Sequence, residues 1–245
     1  MRILLLFHAL LVCATVIAQD QSLSPKQARA VYEKADKALN EAWAAAKAAL
    51  PESEFNKLKE EQRSWVEYRD YLARSPMYTG AGGQDELSLD APEYLEAAAS
   101  LAEDRTAWLR GLVREWGREE TLTGVWTDSH GGRIQIVETE GRLQFVLECV
   151  RGPTSHVGGL AGVALWNERI GWFSDKGRED KGGDPETNVS LILRDRRLEV
   201  IGANTGYYHG ARAYFDGDYV KTGALDTKAQ AKIVKAAESG EFPEE

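Results

Sequence analysis

The stretch Glu60–Asp70, EEQRSWVEYRD, decides how the first half of the chain is read. It lies in a run where Phe55, Leu58, Trp65 and Leu72 recur on one helical stripe. The stripe is complete only if Gln62 and Arg69 occupy its two missing positions. A helix that sets an amide and a guanidinium on its core face needs partners for both, because a buried cation without a partner is costly. The stretch therefore predicts a helix whose apolar face carries a polar network.

Helical period extends to both sides of it, over about residues 24–117. Ser24 followed by Pro25 predicts a helix start, a capping side chain with proline at the first helical position. Tyr32, Asp36, Leu39, Trp43, Ala46 and Leu50 form the stripe of this helix, which stops at Pro51. The second helix is expected over about residues 53–74. SPMYTGAGGQDELSLDAP then breaks the pattern and reads as a long loop. A third helix is expected to open with Asp90 as its cap, to carry Tyr94, Ala98, Leu101, Arg105, Trp108 and Leu112, and to end at Gly117.

Beyond Thr121 the period becomes two. Gly124-Val125-Trp126, Ile134/Ile136, Leu143 to Cys149, Val163-Leu165, Ile170-Trp172, Val189 to Leu193, Leu198-Val200 and Ala213-Phe215 read as about eight short strands. Their spacing fits an antiparallel meander, which removes its exposed edges by closing into a barrel. The chain is thus expected to be α+β in two domains, an N-terminal three-helix bundle followed by an antiparallel β-barrel. The divisions expected are a leader over 1–18, a helical domain over 19–117, a barrel over 121–222, and a tail over 223–245 that can form one short helix.

The leader is read from Arg2, the apolar run Ile3–Ala18 and the small residues near Ala18, which together look like an export signal cleaved after Ala18. The run is short for a spanning helix and no stop-transfer charges follow, so stable membrane insertion is not expected. Cys13 would allow a lipid anchor, but Val12 stands before it where that processing needs a small side chain. Cleavage leaves Cys149 as the single cysteine and excludes an intrachain disulfide. It also removes Arg2, which takes the formal charge from −9 to −10. Such an acidic chain disfavours nucleic acid and anionic membranes and favours a basic partner. Periplasmic or secreted location follows.

Asp36, Gln62, Arg69 and Arg105 are the polar residues on the three helical stripes. One anion among two cations and an amide is expected to form a satisfied structural network. Catalysis is the sharper alternative, but no nucleophile or base sits at matching positions. The chain has few histidines, its one remaining cysteine is on a strand, and no serine lies in a nucleophile turn, so no enzyme is expected.

At this point three stretches carry a resemblance: ADKALNEAWAAA, LKEEQRSWVEYRD and GGQDELSLDAPEYLEAAASLAEDRTAWLRGL. They resemble the N-terminal domain of the LprI family of lysozyme inhibitors over about residues 30–113. The likeness rests on Asp36, Leu39 and Asn40, on the Gln62-x-x-Trp65-x-x-Tyr68-Arg69-Asp70 spacing, and on Glu103-Asp104-Arg105. Family members often carry two cysteines where this chain has Tyr71-Leu72-Ala73 and Ala97-Ala98-Ala99, so the family's usual disulfide cannot form here. The polar network and Trp43, Trp65, Trp108 and Trp116 are then left to hold the bundle. The resemblance implies a non-enzymatic inhibitor with lysozyme as its partner.

The barrel suggests where recognition would sit. In an up-and-down meander alternate connections share an end. Glu140-Gly141, Asn167-Glu168 and Asp195-Arg196 are tight turns at one end, whereas residues 128–132, 151–156, 175–187 and 204–211 form long connections at the other. Long loops on a rigid scaffold commonly carry recognition. Asp175, Glu179, Asp180, Asp184, Tyr207, Tyr208 and His209 are the candidate partner-binding residues, acids for a basic partner and tyrosines as anchors. His130, His156 and His209 also fall at this end, but no two share a metal-ligand spacing, so neither a metal nor another cofactor is expected. Gly124-Val125-Trp126 supports an alternative, a lipocalin-like barrel holding a small apolar ligand, unless Phe145, Trp166 or Trp172 fill the interior.

Overall fold

The computed structural model describes residues 23–115, 117, 120–176 and 182–242. The helical half comprises α1 (Pro25–Ala49), α2 (Glu52–Ala73), the single-turn α3 (Pro76–Thr79) and α4 (Pro92–Val113). Ser24 does cap α1, and its backbone N–H donates to Gln27 Oε1 at 3.0 Å. Asp90 is not the cap of α4: that position belongs to Ala91, with Pro92 starting the helix, and Asp90 forms an ion pair with Arg29 of α1. The helix also stops at Val113, short of Gly117. The loop after α2 contains α3, whose first turn is capped when Ser75 Oγ accepts from the Tyr78 N–H at 3.3 Å.

Helices α1 and α4 meet through small residues. Ala28, Ala35, Ala42 and Ala46 of α1 face Ala98, Ala99 and Ala102 of α4 in the buried clusters. Alanines let two helices approach closely, and they rotate the buried face of α1 away from the stripe of large residues. Asp36 consequently lies at the margin, half-buried, where its Oδ2 accepts from Asn40 Nδ2 at 2.9 Å. The α2 stripe agrees with its periodicity, and Phe55, Leu58, Trp65 and Leu72 are buried.

The second half is a closed barrel of eight antiparallel strands in sequential order. They are β1 (Gly124–Thr127), β2 (Gly132–Thr139), β3 (Arg142–Arg151), β4 (His156–Trp166), β5 (Ile170–Ser174), β6 (Asn188–Arg194), β7 (Arg197–Ala203) and β8 (Gly217–Gly223). The final strand lies later than the Ala213-Phe215 alternation suggests. Ala213 and Phe215 are instead buried in the preceding connection, where Phe215 O accepts from Tyr219 Oη at 2.8 Å. Inward residues fill the barrel: Trp126, Ile134, Phe145, Leu147, Leu160, Val189, Leu191, Leu198, Phe215 and Tyr219 belong to one cluster. Phe145 points inside and Trp166 is half-buried against this cluster, but Trp172 faces out, 49% exposed.

Strand β4, HVGGLAGVALW, shows why its glycines matter. Gly162 leaves room for the Phe173 ring, whose Cδ2 would stand 2.7 Å from an added Cβ. Only Leu165 and Trp166 pair with β5, at Trp172 and Gly171. Farther along, a short 3-10 turn (Thr205–Tyr208) brings His209 against Gly158, and the Gly210 N–H donates to Val157 O at 3.0 Å.

The helix α5 (Thr227–Ser239) follows the barrel, with Asp226 accepting from the Ala229 N–H at 2.7 Å and Gly240 closing it in the left-handed conformation. Its Ile233 and Ala236, with Leu225, cover Val137, Val146 and Ala161 on the outside of β2–β4. On another flank α4 lies on β8. Gly111 is the contact point, since an added Cβ would meet Val220 Cγ1 at 2.7 Å, and Val220 joins the helical core.

Candidate functional site

The four long connections do share one end of the barrel, and the structure divides that end into two halves. Asp128, Ser129 and His130 of the β1–β2 connection, with Gly152 beyond β3, are taken up by the helical domain. Tyr68 Oη donates to His130 O at 3.1 Å, and its ring lies tilted at 46° against the His130 ring, centroids 5.1 Å apart. Arg105 Nη1 donates to Ser129 Oγ at 2.9 Å. Beneath them Arg151 and Asp128 form a buried ion pair at 2.6 Å, with side chains 3% and 5% exposed. Asp128 Oδ1 also accepts from the backbone N–H groups of His130 and Gly132, both at 2.8 Å. Arg151 in turn donates to His130 O and Tyr214 O. Desolvation works against its charge, yet the nearby Asp128 carboxylate keeps its pKa above the usual value.

The expected four-residue helical network is therefore corrected. Gln62 and Arg105 do meet, at 2.9 Å, but Arg69 pairs with its neighbour Asp70 at 2.8 Å, and Asp36 joins neither. Asp70 also accepts from Tyr94 Oη, whose pKa is pushed up to about 12, first by burial and then by that carboxylate. Arg105 has no carboxylate partner among the described residues. It stacks on Trp108 at 4.2 Å, and burial lowers its pKa to about 10. Trp116 lies outside the described residues.

The other half of the long-loop end faces solvent. Asp175 and Tyr208 do not present themselves there: Asp175 Oδ1 accepts from the Thr187 N–H at 2.7 Å and its Oδ2 from Tyr208 Oη at 2.9 Å. Thr187 Oγ1 donates to Asn204 O at 2.7 Å, and Asn204 Nδ2 donates to Glu186 O at 3.0 Å. These bonds tie Asp175, Glu186 and Thr187 to Asn204 and Tyr208. Beside these contacts Asp184 is exposed, and Tyr207 is 41% exposed and edge-on to Tyr208 at 4.9 Å. His209 is half-buried, bonded through Nε2 to Thr205 Oγ1. Glu179 and Asp180 lie outside the described residues.

His130 and His156, like His209, bond within their own segments, His130 Nδ1 to Asp128 O and His156 Nε2 to Thr154 Oγ1. Among the described residues no group of three or more His, Cys, Asp or Glu side chains could hold a metal ion. A separate concavity lies between α4 and β8, lined by Arg110, Arg114, Glu120 and Lys221. Glu120 accepts from Arg114 at 2.6 and 2.8 Å and from Lys221 at 3.0 Å, and its pKa falls to about 2.

Sequence reasoning missed Asp128, Ser129, Arg151 and Tyr68 as the junction of the two halves. Asp128-Ser-His-Gly-Gly is a legible turn, with Asp as an acceptor for N–H groups farther along the chain. Nothing in it names Arg151, which arrives from the end of β3.

No helix among the described residues is long and apolar enough to cross a membrane. No curated protein matches the chain, and no solved structure matches it. Residues 18–109, less than half of the chain, match the model of the family described as lysozyme inhibitor LprI, and the closed eight-stranded barrel follows this LprI-type segment.

Proposed function

We propose that the protein is an exported, non-enzymatic inhibitor of a lysozyme. The observation that carries this reading is the match of residues 18–109 to an inhibitor family. The formal charge of −9 supports it, because an acidic surface raises the rate at which a basic enzyme is met. In this reading the solvent-facing half of the long-loop end enters the substrate cleft and covers the paired carboxylates on which glycoside hydrolysis depends. Asp184 and Tyr207 make the contact, with Glu179 and Asp180, while Asp175, Tyr208 and His209 hold the loops in shape. The bracing between the loops lowers the ordering cost of binding.

A lipocalin-like carrier needs open space inside the barrel, whereas Trp126, Phe145, Phe215 and Tyr219 occupy this one. The inhibitor reading is the stronger. It is tested by titrating the purified protein into c-type and g-type lysozymes acting on cell-wall substrate. Stoichiometric inhibition of either is expected, and full activity of both at micromolar protein would remove the proposal.

A further inference from the structure

The connection from β7 to β8 runs through Ala213-Tyr214-Phe215, and its side chains alternate in burial. Ala213 and Phe215 are buried, so Tyr214 between them is turned outward and stands 47% exposed. Phe215 is anchored twice: its ring lies edge-on to His209 at 5.4 Å, and its carbonyl accepts from Tyr219 Oη at 2.8 Å. An exposed side chain that meets a partner ordinarily loses rotamer freedom on binding. The Tyr214 ring is held beforehand. The Arg151 guanidinium lies over it, 4.2 Å from the ring centre, and Arg151 Nε donates to Tyr214 O at 3.1 Å.

Arg151 is itself fixed. Its side chain is 3% exposed and paired with Asp128 at 2.6 Å. Its Nη1 donates at 2.8 Å to His130 O, the carbonyl that also takes Tyr68 Oη from α2. A run of contacts therefore leads from the helical segment through His130 and Arg151 to the Tyr214 ring. Shielding the buried ion pair from water is a task that any apolar side chain could perform. A tyrosine adds a flat, exposed surface already set in place, which is what an interface anchor needs. Aromatic faces attract cations, and a chain of formal charge −9 attracts basic proteins.

We propose that Tyr214 is a further partner-contacting residue at the long-loop end, with Arg151 as the residue that positions it. The partner it fits is a basic protein that lays Arg or Lys side chains on the exposed sides of Tyr207 and Tyr214. This inference rests on the inhibitor reading and extends its surface from Asp184 and Tyr207 toward the helical domain. It also gives the LprI-type segment a part in recognition, because Tyr68 holds the loop on which Arg151 is set.

Inhibition constants are measured with the lysozyme that the unsubstituted protein inhibits, beside urea denaturation of each variant. Tyr214→Ala should raise the constant ~10-fold, chiefly through faster dissociation. Tyr214→Phe keeps the ring and should stay within about 2-fold. Trp172 is as exposed but stands on β5 near a short turn, and Trp172→Ser should change nothing. Arg151→Lys keeps a charge for Asp128 but loses the planar stack and the Nε bond. It should weaken inhibition while Tyr214 is present and add nothing to Tyr214→Ala. Circular dichroism checks that each variant folds, and if Arg151→Lys does not, the Tyr214 variants decide. A Tyr214→Ala protein that loses stability yet inhibits fully would reveal a ring that only shields the ion pair, and would overturn the proposal. So would Tyr214→Phe as weak as Tyr214→Ala, or losses for Arg151 and Tyr214 that simply add. These outcomes strike this inference alone, whereas an unsubstituted protein that inhibits no lysozyme removes the inhibitor reading and this inference with it.

Discussion

Replacing Arg105 and Arg151 in turn by methionine separates a lone buried cation from a buried ion pair. Arg105 is 1% exposed and donates to Gln62 Oε1 and Ser129 Oγ, each at 2.9 Å, with no carboxylate in contact among the described residues. Methionine keeps much of its volume, so the cavity term is small. The substitution loses two charge-assisted hydrogen bonds worth ~1.5–3 kcal/mol each. It also removes a guanidinium whose desolvation costs several kcal/mol, and it leaves no charge behind. The terms offset to within about 1.5 kcal/mol. Arg151→Met leaves the Asp128 carboxylate buried. That carboxylate keeps two backbone donors but loses the guanidinium at 2.6 Å. Removing one member of such a pair costs about 3–5 kcal/mol. Urea denaturation followed by circular dichroism measures both, and adding Asp128→Asn to Arg151→Met should recover about 1–2 kcal/mol of the loss. Equal losses for the two arginines, or no recovery in the double variant, would refute the argument that a stranded carboxylate sets the cost.

Three further outcomes are expected. Gly111→Ala should push α4 off β8 and lower stability by about 1–3 kcal/mol, seen as a lower melting temperature, because the new methyl would lie 2.7 Å from Val220 Cγ1. Glu120 has its pKa lowered from 4.5 to about 2, first by the Arg114 hydrogen bonds and then by Lys221. Its contribution is present above 4.5 and lost as pH falls through about 2, so the stability gap between the protein and Glu120→Gln should close over that window in acid unfolding curves. In the inhibitor reading Tyr207→Ala should speed dissociation from lysozyme at a cost of about 1–3 kcal/mol. Asp184→Asn should instead slow association, more at low than at high salt, in surface-binding kinetics.

Period and turn chemistry were legible in the residues themselves. The change from helical spacing before Gly117 to alternation after Thr121 states the two-part architecture, because side-chain direction repeats at 3.6 residues in a helix and at two in a strand. The alternation of long and short connections likewise states which loops gather at one end. Other features belong to the tertiary structure alone. The buried face of α1 is turned toward its alanines, which carry little weight in a hydrophobic pattern yet allow close approach to α4. Arg105 and Tyr68 look like core residues of a bundle, but their polar ends reach Ser129 and His130 of the barrel. Asp175 and Tyr208 look like surface anchors, yet they bond to each other across 33 positions of chain. Pattern within one element states which face is buried, but not what that face meets. Long-range partners are chosen by how the closed barrel and the bundle pack together, and that packing decides which charges are paired and which remain free for a partner.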